Sequence, residues 1–295
     1  VSVVAVSWNT LSCLPSALDS VLAGSGSLEV EAIVVDNGST DGSVQALRAR
    51  GDVHLVALGE NTGFTRGANV GADRATGRYL LFLNPDVVAP LGALEQLVEE
   101  LESHPGAWAA APRFVNPDGT PQPFWRRRPG PLLLALCFTH RGRRIDRLIG
   151  GRARNRLQYA DLAPGVGSVP IESVGAAFLL VRREEFERAG RFDERFFNFF
   201  QDTALQRHMA RAGRTLLGVR DVEVVHQLGV TFRTLPPSDV HGQLLYAARQ
   251  YLADEPWFRR WTFELFVRLE VLGPGGHRAA VRRVALAPLA RGVNS

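Results

Sequence analysis

The feature that most constrains this chain is the alternation of its first hundred residues. Four short apolar runs, VSVVAVSW, EAIVVD, VHLVAL and YLLFLN, are each long enough for one buried strand. Between them lie stretches with helical spacing. LPSALDSVL carries Leu14, Ala17, Leu18, Val21 and Leu22 on one side, and STDGSVQALRARG opens on cap-forming residues and closes on Gly51. GFTRGANVGADRATG reads as a small-residue helix. PLGALEQLVEELESHPG sets Leu91, Leu94, Leu97 or Val98, and Leu101 on one face before the Pro105-Gly106 stop. Strands alternating with helices predict an α/β fold with a mostly parallel, doubly wound sheet, and such sheets bind ligands at the carboxyl ends of their strands.

After Ala107 the pattern changes. AWAAAPRF and the turn NPDGT predict an antiparallel excursion, SVGAAFLLVRR a further strand, EEFERAG and TALQRHMARAG helices, and LLGV and VEVVH the closing strands. From Ser238 the chain is amphipathic and helical, with an Arg-rich tail. Three segments follow: 1–112 as a ligand-binding half, 113–237 as a second half, and 238–295 as a helical tail. All 34 basic residues are Arg, so a Gly-Lys phosphate loop and a Schiff-base lysine are excluded. Ten arginines against Asp146 alone fall within Arg126–Arg156, which makes the basicity a local patch and leaves the rest of the chain net negative. This patch, flanking PLLLALCF, is expected to be a mobile or surface segment. It reads as a solvated loop or as a surface adsorbing to anionic membrane; nucleic acid is not expected, because no aromatics are interleaved with the arginines. No apolar run reaches the ~18 residues of a membrane span. Two isolated cysteines fit a reducing compartment, and the absence of both a signal-peptide pattern and an initiator Met fits a processed start. Together they predict a cytoplasmic location, including the inner membrane face.

The polar residues fall in an informative place. Asn9 ends the first strand, Asp36 the second, and Asn84 and Asp86 the fourth, so these side chains converge on one sheet edge. Singly, each serves equally as a turn or cap residue. In YLLFLNPDVVAP the strand breaks at Pro85, which stands Asp86 at the lip of the sheet. VDNGSTDG can be a bare strand-to-helix turn or a nucleotide site in which Asp36 accepts from a base or ribose. NTGFTRGAN, with Asn61, Gly63, Arg66 and Asn69, can contact phosphate or can simply pack a helix closely. Gly175 and Ala176 leave room for a substrate or pack a strand. Most of Phe196, Phe197, Phe199 and Phe200 are expected in the core, with one or two free to form an aromatic platform for a ligand.

Taken in order, VVAVSWN, IVVDNGSTDGS, NTGFTRGAN, LFLNPD, VGAAFLLVRREEFERAGRFDERFF, FQDTALQRHMARAG and VVHQLG resemble the family 2 inverting nucleotide-sugar glycosyltransferases, most nearly their rhamnosyltransferase-like branch, over Val1 to Val230. The resemblance implies a glycosyltransferase A-type fold with an antiparallel acceptor-side extension and C-terminal helices. It further implies a dTDP- or UDP-sugar donor, a Mg²⁺ or Mn²⁺ ion, and inversion at the anomeric carbon. Asp86 matches the last residue of the family's Asp-x-Asp metal motif, with Asn84 in place of the first Asp; His226 matches a histidine that completes the metal site, though a strand-terminal His is also an ordinary structural residue. Asp202 matches the family's general base and equally suits a helix cap. Gln201 stands where that family carries Glu; it keeps hydrogen bonding and loses a charge. The implied reaction is transfer of rhamnose from dTDP-rhamnose to a glycan or polyprenyl-linked acceptor. Its rivals are a non-catalytic nucleotide-sugar or glycan binder and a nucleotidyltransferase, and a homodimer through the C-terminal helices is left open.

Overall fold

A computed structural model describes residues 1–24, 26–159, 165–227, 235–272 and 276–289. The last residues of VVHQLG and of the Arg-rich tail lie outside the described residues. The opening alternation folds as β1 (Ser2–Ser7), α1 (Leu14–Leu22), β2 (Glu31–Asp36), α2 (Ser43–Arg48), β3 (Val53–Ala57), α3 (Gly63–Arg74) and β4 (Tyr79–Leu83). β5 (Val87–Val88), α4 (Ala93–Ser103), β6 (Ala107–Val115) and β7 (Pro121–Gln122) follow, then α5 (Pro131–Phe138), α6 (His140–Leu148) and α7 (Arg152–Leu157). β8 (Ser168–Ile171), β9 (Phe178–Arg182), α8 (Arg183–Arg188), α9 (Gln201–Arg211) and β10 (Thr215–His226) complete the sheet, and α10 (Pro237–Tyr251), α11 (Trp257–Glu270) and α12 (Gly276–Ala285) follow it.

The sheet order is β3-β2-β1-β4-β9-β6-β10-β5, with β7 on β6 and β8 on β10. β3, β2, β1 and β4 are mutually parallel, as their helical crossovers require; β2, β1 and β4 are buried on both faces, whereas the edge strand β3 is partly exposed. β9 then enters antiparallel between β4 and β6, while β6 and β10 run parallel to each other. The expected excursion after Ala107 is therefore antiparallel to β9 and β7 but parallel to β10. LLGV and VEVVH are one irregular strand, with a register shift between Val219 and Glu223.

Small residues bring α3 down onto the sheet. A Cβ at Gly71 would stand 2.3 Å from Val4 Cγ1, so the close approach needs glycine there. In α4, Leu94, Leu97 and Leu101 are buried as expected, but Leu91 precedes the helix and is 78% exposed, because Gly92 turns the chain at φ 79°.

The basic segment is not a loose surface stretch. PLLLALCF is α5, apolar on every side, and such a helix must be covered. Leu134 and Ala135 are fully buried in a second core with Leu245, Tyr251, Phe263 and Val267 of α10 and α11, separate from the core around the sheet. Hydrophobic burial thus replaces the expected loop with packed helices, while the arginines of α6 and α7 lie on their exposed, solvated face as expected. α6, α10 and α11 also meet at Glu270, where burial would raise the carboxyl but hydrogen bonds from His241 and His140 outweigh it and hold it at about 2.

Candidate active site

The topology gathers chemistry at one edge. β4 ends at Leu83, which pairs with Phe178 at the start of antiparallel β9, so the loop before β9 lies beside the end of β4. The Asn84 N–H donates to the Ala177 carbonyl across this junction at 2.8 Å. β5 returns antiparallel against the end of β10, pairing Val87 with His226, and this register sets His226 beside Asp86. α9 begins with Gln201 and Asp202 against the same loop. The result is a cavity of about 750 Å³ whose walls include Asn61, Asn84, Asp86, Gly175, Ala176, Gln201, Asp202 and His226.

His226 Nε2 lies 3.2 Å from Asp86 Oδ1, both side chains nearly buried. Gln122 donates its amide to the His226 carbonyl and to Asn116 Oδ1, so its own oxygen faces His226 Nδ1 at 3.1 Å. This network places a proton on Nδ1 and turns Nε2 toward the carboxylate. Nε2 and Asp86 Oδ1 are thus close enough to share one cation, a proton or a metal ion. A neutral imidazole and a carboxylate fit a divalent ion that takes its remaining ligands from substrate oxygens. Phe124 stacks its edge against His226 at 4.8 Å, fixing the ring.

Asp202 sits in the wall. Its Oδ2 accepts from the Ala176 N–H at 3.1 Å and its Oδ1 from the Thr203 N–H at 2.6 Å. Loss of hydration raises its carboxyl above the usual range despite these bonds and the nearby Arg126. Arg126 is exposed to the open cavity over the Phe124 ring, and partial loss of hydration at the wall lowers its guanidinium against the pull of Asp202. Gln201 Oε1 is buried at the cavity without a hydrogen-bond partner among the described residues. The turn that delivers this pair is strained: Phe199 and Phe200 both have left-handed backbone, at φ 64° and 62°, where bulky residues are outliers. Phe196 and Phe200 belong to the second core; Phe199 and Phe200 also line the cavity with Phe197, which is 45% exposed.

Other predicted residues are spent on local structure. Asp36 turns inward, accepting from the Gly38 and Ser39 N–H groups and from Ser39 Oγ; the cavity wall is formed by the next residue, Asn37. Asn9 Oδ1 accepts from the Thr40 N–H. The first N–H groups of α3 are taken internally: Gly63 donates to Asn61 Oδ1, Phe64 to Asn198 Oδ1 and Thr65 to the Phe197 carbonyl. A Cβ on Gly63 would meet that same carbonyl at 2.4 Å. Asn69 bridges α3 to Phe192 and Glu194, and Arg66 is exposed outside the cavity lining. Sequence reading missed Gln122, Phe124, Asn37 and Arg126. Only Asn37 lay in a motif singled out for binding; Arg126 was hidden in the charge run.

Beyond Pro129, which it shares with the main cavity, a second cleft of about 330 Å³ is lined by Arg128, Arg207, Arg211 and Arg259. Three of these arginines have acidic neighbours only at 3.5–3.7 Å, too far to consume their N–H donors.

Comparison with known proteins agrees with this architecture. Residues 2–159 match the family model described as glycosyl transferase family 2. An N-acetylglucosaminyl-diphospho-decaprenol L-rhamnosyltransferase of Mycobacterium tuberculosis is 29% identical over 254 residues, covering 79% of each chain. A crystal structure of GalNAc-T7 with UDP, GalNAc and Mn²⁺ superposes with a TM-score of 0.62 at 16% identity over 96% of this chain, which spans about half (53%) of that longer one. S. aureus TarS 1–349 in complex with UDP-GlcNAc matches over 96% of this chain and 70% of its own, with a TM-score of 0.52 at 14% identity. At these identities the structural matches establish the fold alone, a glycosyltransferase A-type mixed α/β sheet.

Proposed function

Because this chain belongs to glycosyl transferase family 2, we propose that it transfers rhamnose from dTDP-rhamnose to a diphosphate-linked glycan acceptor with inversion. The observation that carries this reading is that Asp86 and Asp202, far apart in sequence, wall a single cavity large enough for a hexose between them. Asp86 and His226 would hold a Mg²⁺ or Mn²⁺ ion. Such an ion supplies Lewis-acid stabilisation of the charge growing on the leaving diphosphate. Asn37, Asn61 and Asn84 line the donor side; Asn61 and Asn84 offer amide N–H groups to hydroxyls of the sugar and ribose, while Asn37 is held by Gly63 and Thr62. Phe197 offers an apolar face to the transferred ring. On the opposite side Asp202 accepts the proton of the acceptor hydroxyl as its oxygen bonds the anomeric carbon and the bond to the diphosphate breaks. Loss of hydration raises its carboxyl, which strengthens it as a base, and Arg126 draws it back toward the charged form. The bare Gln201 oxygen takes a second acceptor hydroxyl.

The M. tuberculosis relative acts, by its name, on a diphospho-decaprenol carrier. The arginine cleft beside the cavity suits such a diphosphate, since guanidinium forks pair with phosphate oxygens. α11 next to it turns Trp257, Phe258 and Trp261 to solvent beside Arg259 and Arg260, a composition that favours an anionic membrane surface. Among the described residues no helix is long and apolar enough to cross a membrane. A turnover screen of dTDP-rhamnose and UDP-sugars, with and without Mn²⁺, tests the reading: selective, Mn²⁺-stimulated hydrolysis of dTDP-rhamnose is expected. Turnover of UDP-sugars alone would replace the donor, and the absence of any turnover would end the enzymatic reading.

A further inference from the structure

Away from the cavity, three helices meet on one carboxylate. Glu270, which ends α11 and is 9% exposed, faces His140 at the start of α6 and His241 in α10. Its Oε1 accepts from the His140 backbone N–H at 3.1 Å and faces His241 Nε2 at 3.1 Å and His140 Nδ1. Oε2 is met by that same backbone N–H at 3.0 Å. The backbone N–H is shared with Oε2, so the two imidazole nitrogens converge on Oε1 from separate helices. The two imidazoles also stand edge to face with centroids 4.8 Å apart, both turned to one atom.

One ion would account for this convergence of three potential ligand atoms. We propose that His140, His241 and Glu270 form a binding site for a divalent transition metal of zinc type, separate from the catalytic cavity. The ion takes one lone pair each from His140 Nδ1, His241 Nε2 and Glu270 Oε1, and leaves Oε2 to the His140 N–H. Two imidazoles and a carboxylate are a zinc-like donor set. Ligand atoms around a tetrahedral ion with bonds of ~2.0–2.1 Å lie roughly 3.3–3.5 Å apart. The three groups already have their ligand atoms within 4.8 Å of one another, and they are the one such trio among the described residues. His140 is 57% exposed, which gives the ion an entry path and water a fourth position. The consequence is mechanical. Phe138 lies two residues before His140, and Gln243 and Leu244 follow His241 within one turn; all three line the catalytic cavity. An ion here would pin α6, α10 and α11 together and hold that wall in place.

The test reads metal binding and not activity, so its outcome is independent of the donor and acceptor assignments. The full chain carrying Asp86→Asn, which disables the cavity pair, is stripped with chelator and titrated with Zn²⁺ and with Co²⁺ as a visible probe. One equivalent should bind, with Co²⁺ giving the absorption of a low-coordinate nitrogen–oxygen site and Zn²⁺ displacing it. Adding the half-exposed His140→Gln should weaken Zn²⁺ binding by about a hundredfold or more, since loss of a ligand exceeds the 10–100-fold of an outer-shell change. If His140→Gln fails the circular-dichroism check, His241→Gln on another helix repeats the comparison. No bound ion in the Asp86→Asn chain, or equal affinity after loss of either histidine, would overturn the site and leave a metal-free hydrogen-bonded cluster.

Discussion

Asp202→Asn gives the sharpest test of the proposed chemistry. The substitution keeps the side chain's shape and removes its basicity. A positioned general base contributes roughly 10²–10⁴ in rate, equivalent to about 2.7–5.4 kcal/mol of barrier. Rhamnosyl transfer, measured as kcat at saturating donor, should fall by that factor while calorimetry shows the dTDP-rhamnose affinity unchanged. The fold should survive. Asp202 accepts the Ala176 and Thr203 N–H groups on different oxygens, so Asn keeps one bond and turns an NH₂ toward the other donor. That mismatch costs about 1–3 kcal/mol, opposed by relief from burying a charge. The sign of the pH dependence separates the two effects. Burial raises the Asp202 carboxyl, so its favourable contribution to stability is complete below the unfolded value of about 3.9 and is lost as pH rises through the folded value. The Tm of the variant relative to wild type should therefore improve from acid to neutral pH. Wild-type activity should instead climb with pH through that same raised value, and this limb should vanish in the variant. A kcat within a few-fold of wild type, with the acid limb intact, would refute Asp202 as the base.

Three further outcomes follow from the geometry. Gln122→Ala removes the group that orients His226 and should weaken Mn²⁺ activation by about 10–100-fold, read as a shift in the Mn²⁺ concentration giving half-maximal rate. Arg211→Gln and Arg259→Gln should each raise the KM for a diphosphate-linked acceptor by about tenfold or more, from about 1.5–3 kcal/mol for a hydrogen bond to a charged group. Neither should change acceptor-independent donor hydrolysis, and an equal effect on a phosphate-free acceptor would remove the cleft from the acceptor's path. Gly71→Val forces a side chain into Val4; it should cost about 1–3 kcal/mol of overpacking and lower the Tm by several degrees in a thermal melt.

The first four strands and their crossovers were legible because burial writes apolar runs, continuous where both faces are covered as in β1, β2 and β4, and Gly51 punctuates α2 between them as Pro105-Gly106 punctuates α4 after them. Asp86 was legible for the same reason: Pro85 announces where β4 stops. The basic segment misled because charge density outweighs the eight apolar residues of α5 in a linear reading, although those eight decide where the segment packs. Gln122 and Arg126 carried no local signal. Gln122 matters only because β6 turns back through β7 to the end of β10, and Arg126 only because α9 brings Asp202 to it. Both relations are long-range pairings that spacing along the chain does not encode.

The placement of Asp202 is the clearest case. The stretch from Phe196 to Phe200 is held from two sides: Phe196 and Phe200 sit in the helical core, while the Phe197 carbonyl and the Asn198 side chain receive the first N–H groups of α3 on the sheet. Between these anchors Phe199 and Phe200 adopt left-handed backbone at a cost of about 1–3 kcal/mol each. Such a conformation persists only where surrounding contacts over-determine it, and here the two cores do so together. Their combined grip starts α9 at Gln201 and turns Asp202 onto the Ala176 N–H, across the cavity from Asp86. Loosening either anchor should therefore reach the proposed base before it reaches the sheet: Asn198→Ala, which frees the Phe64 N–H, should lower kcat while leaving Mn²⁺ activation and the cooperative melt of the sheet in place. A kcat equal to wild type in that variant would mean the helical core alone positions Asp202.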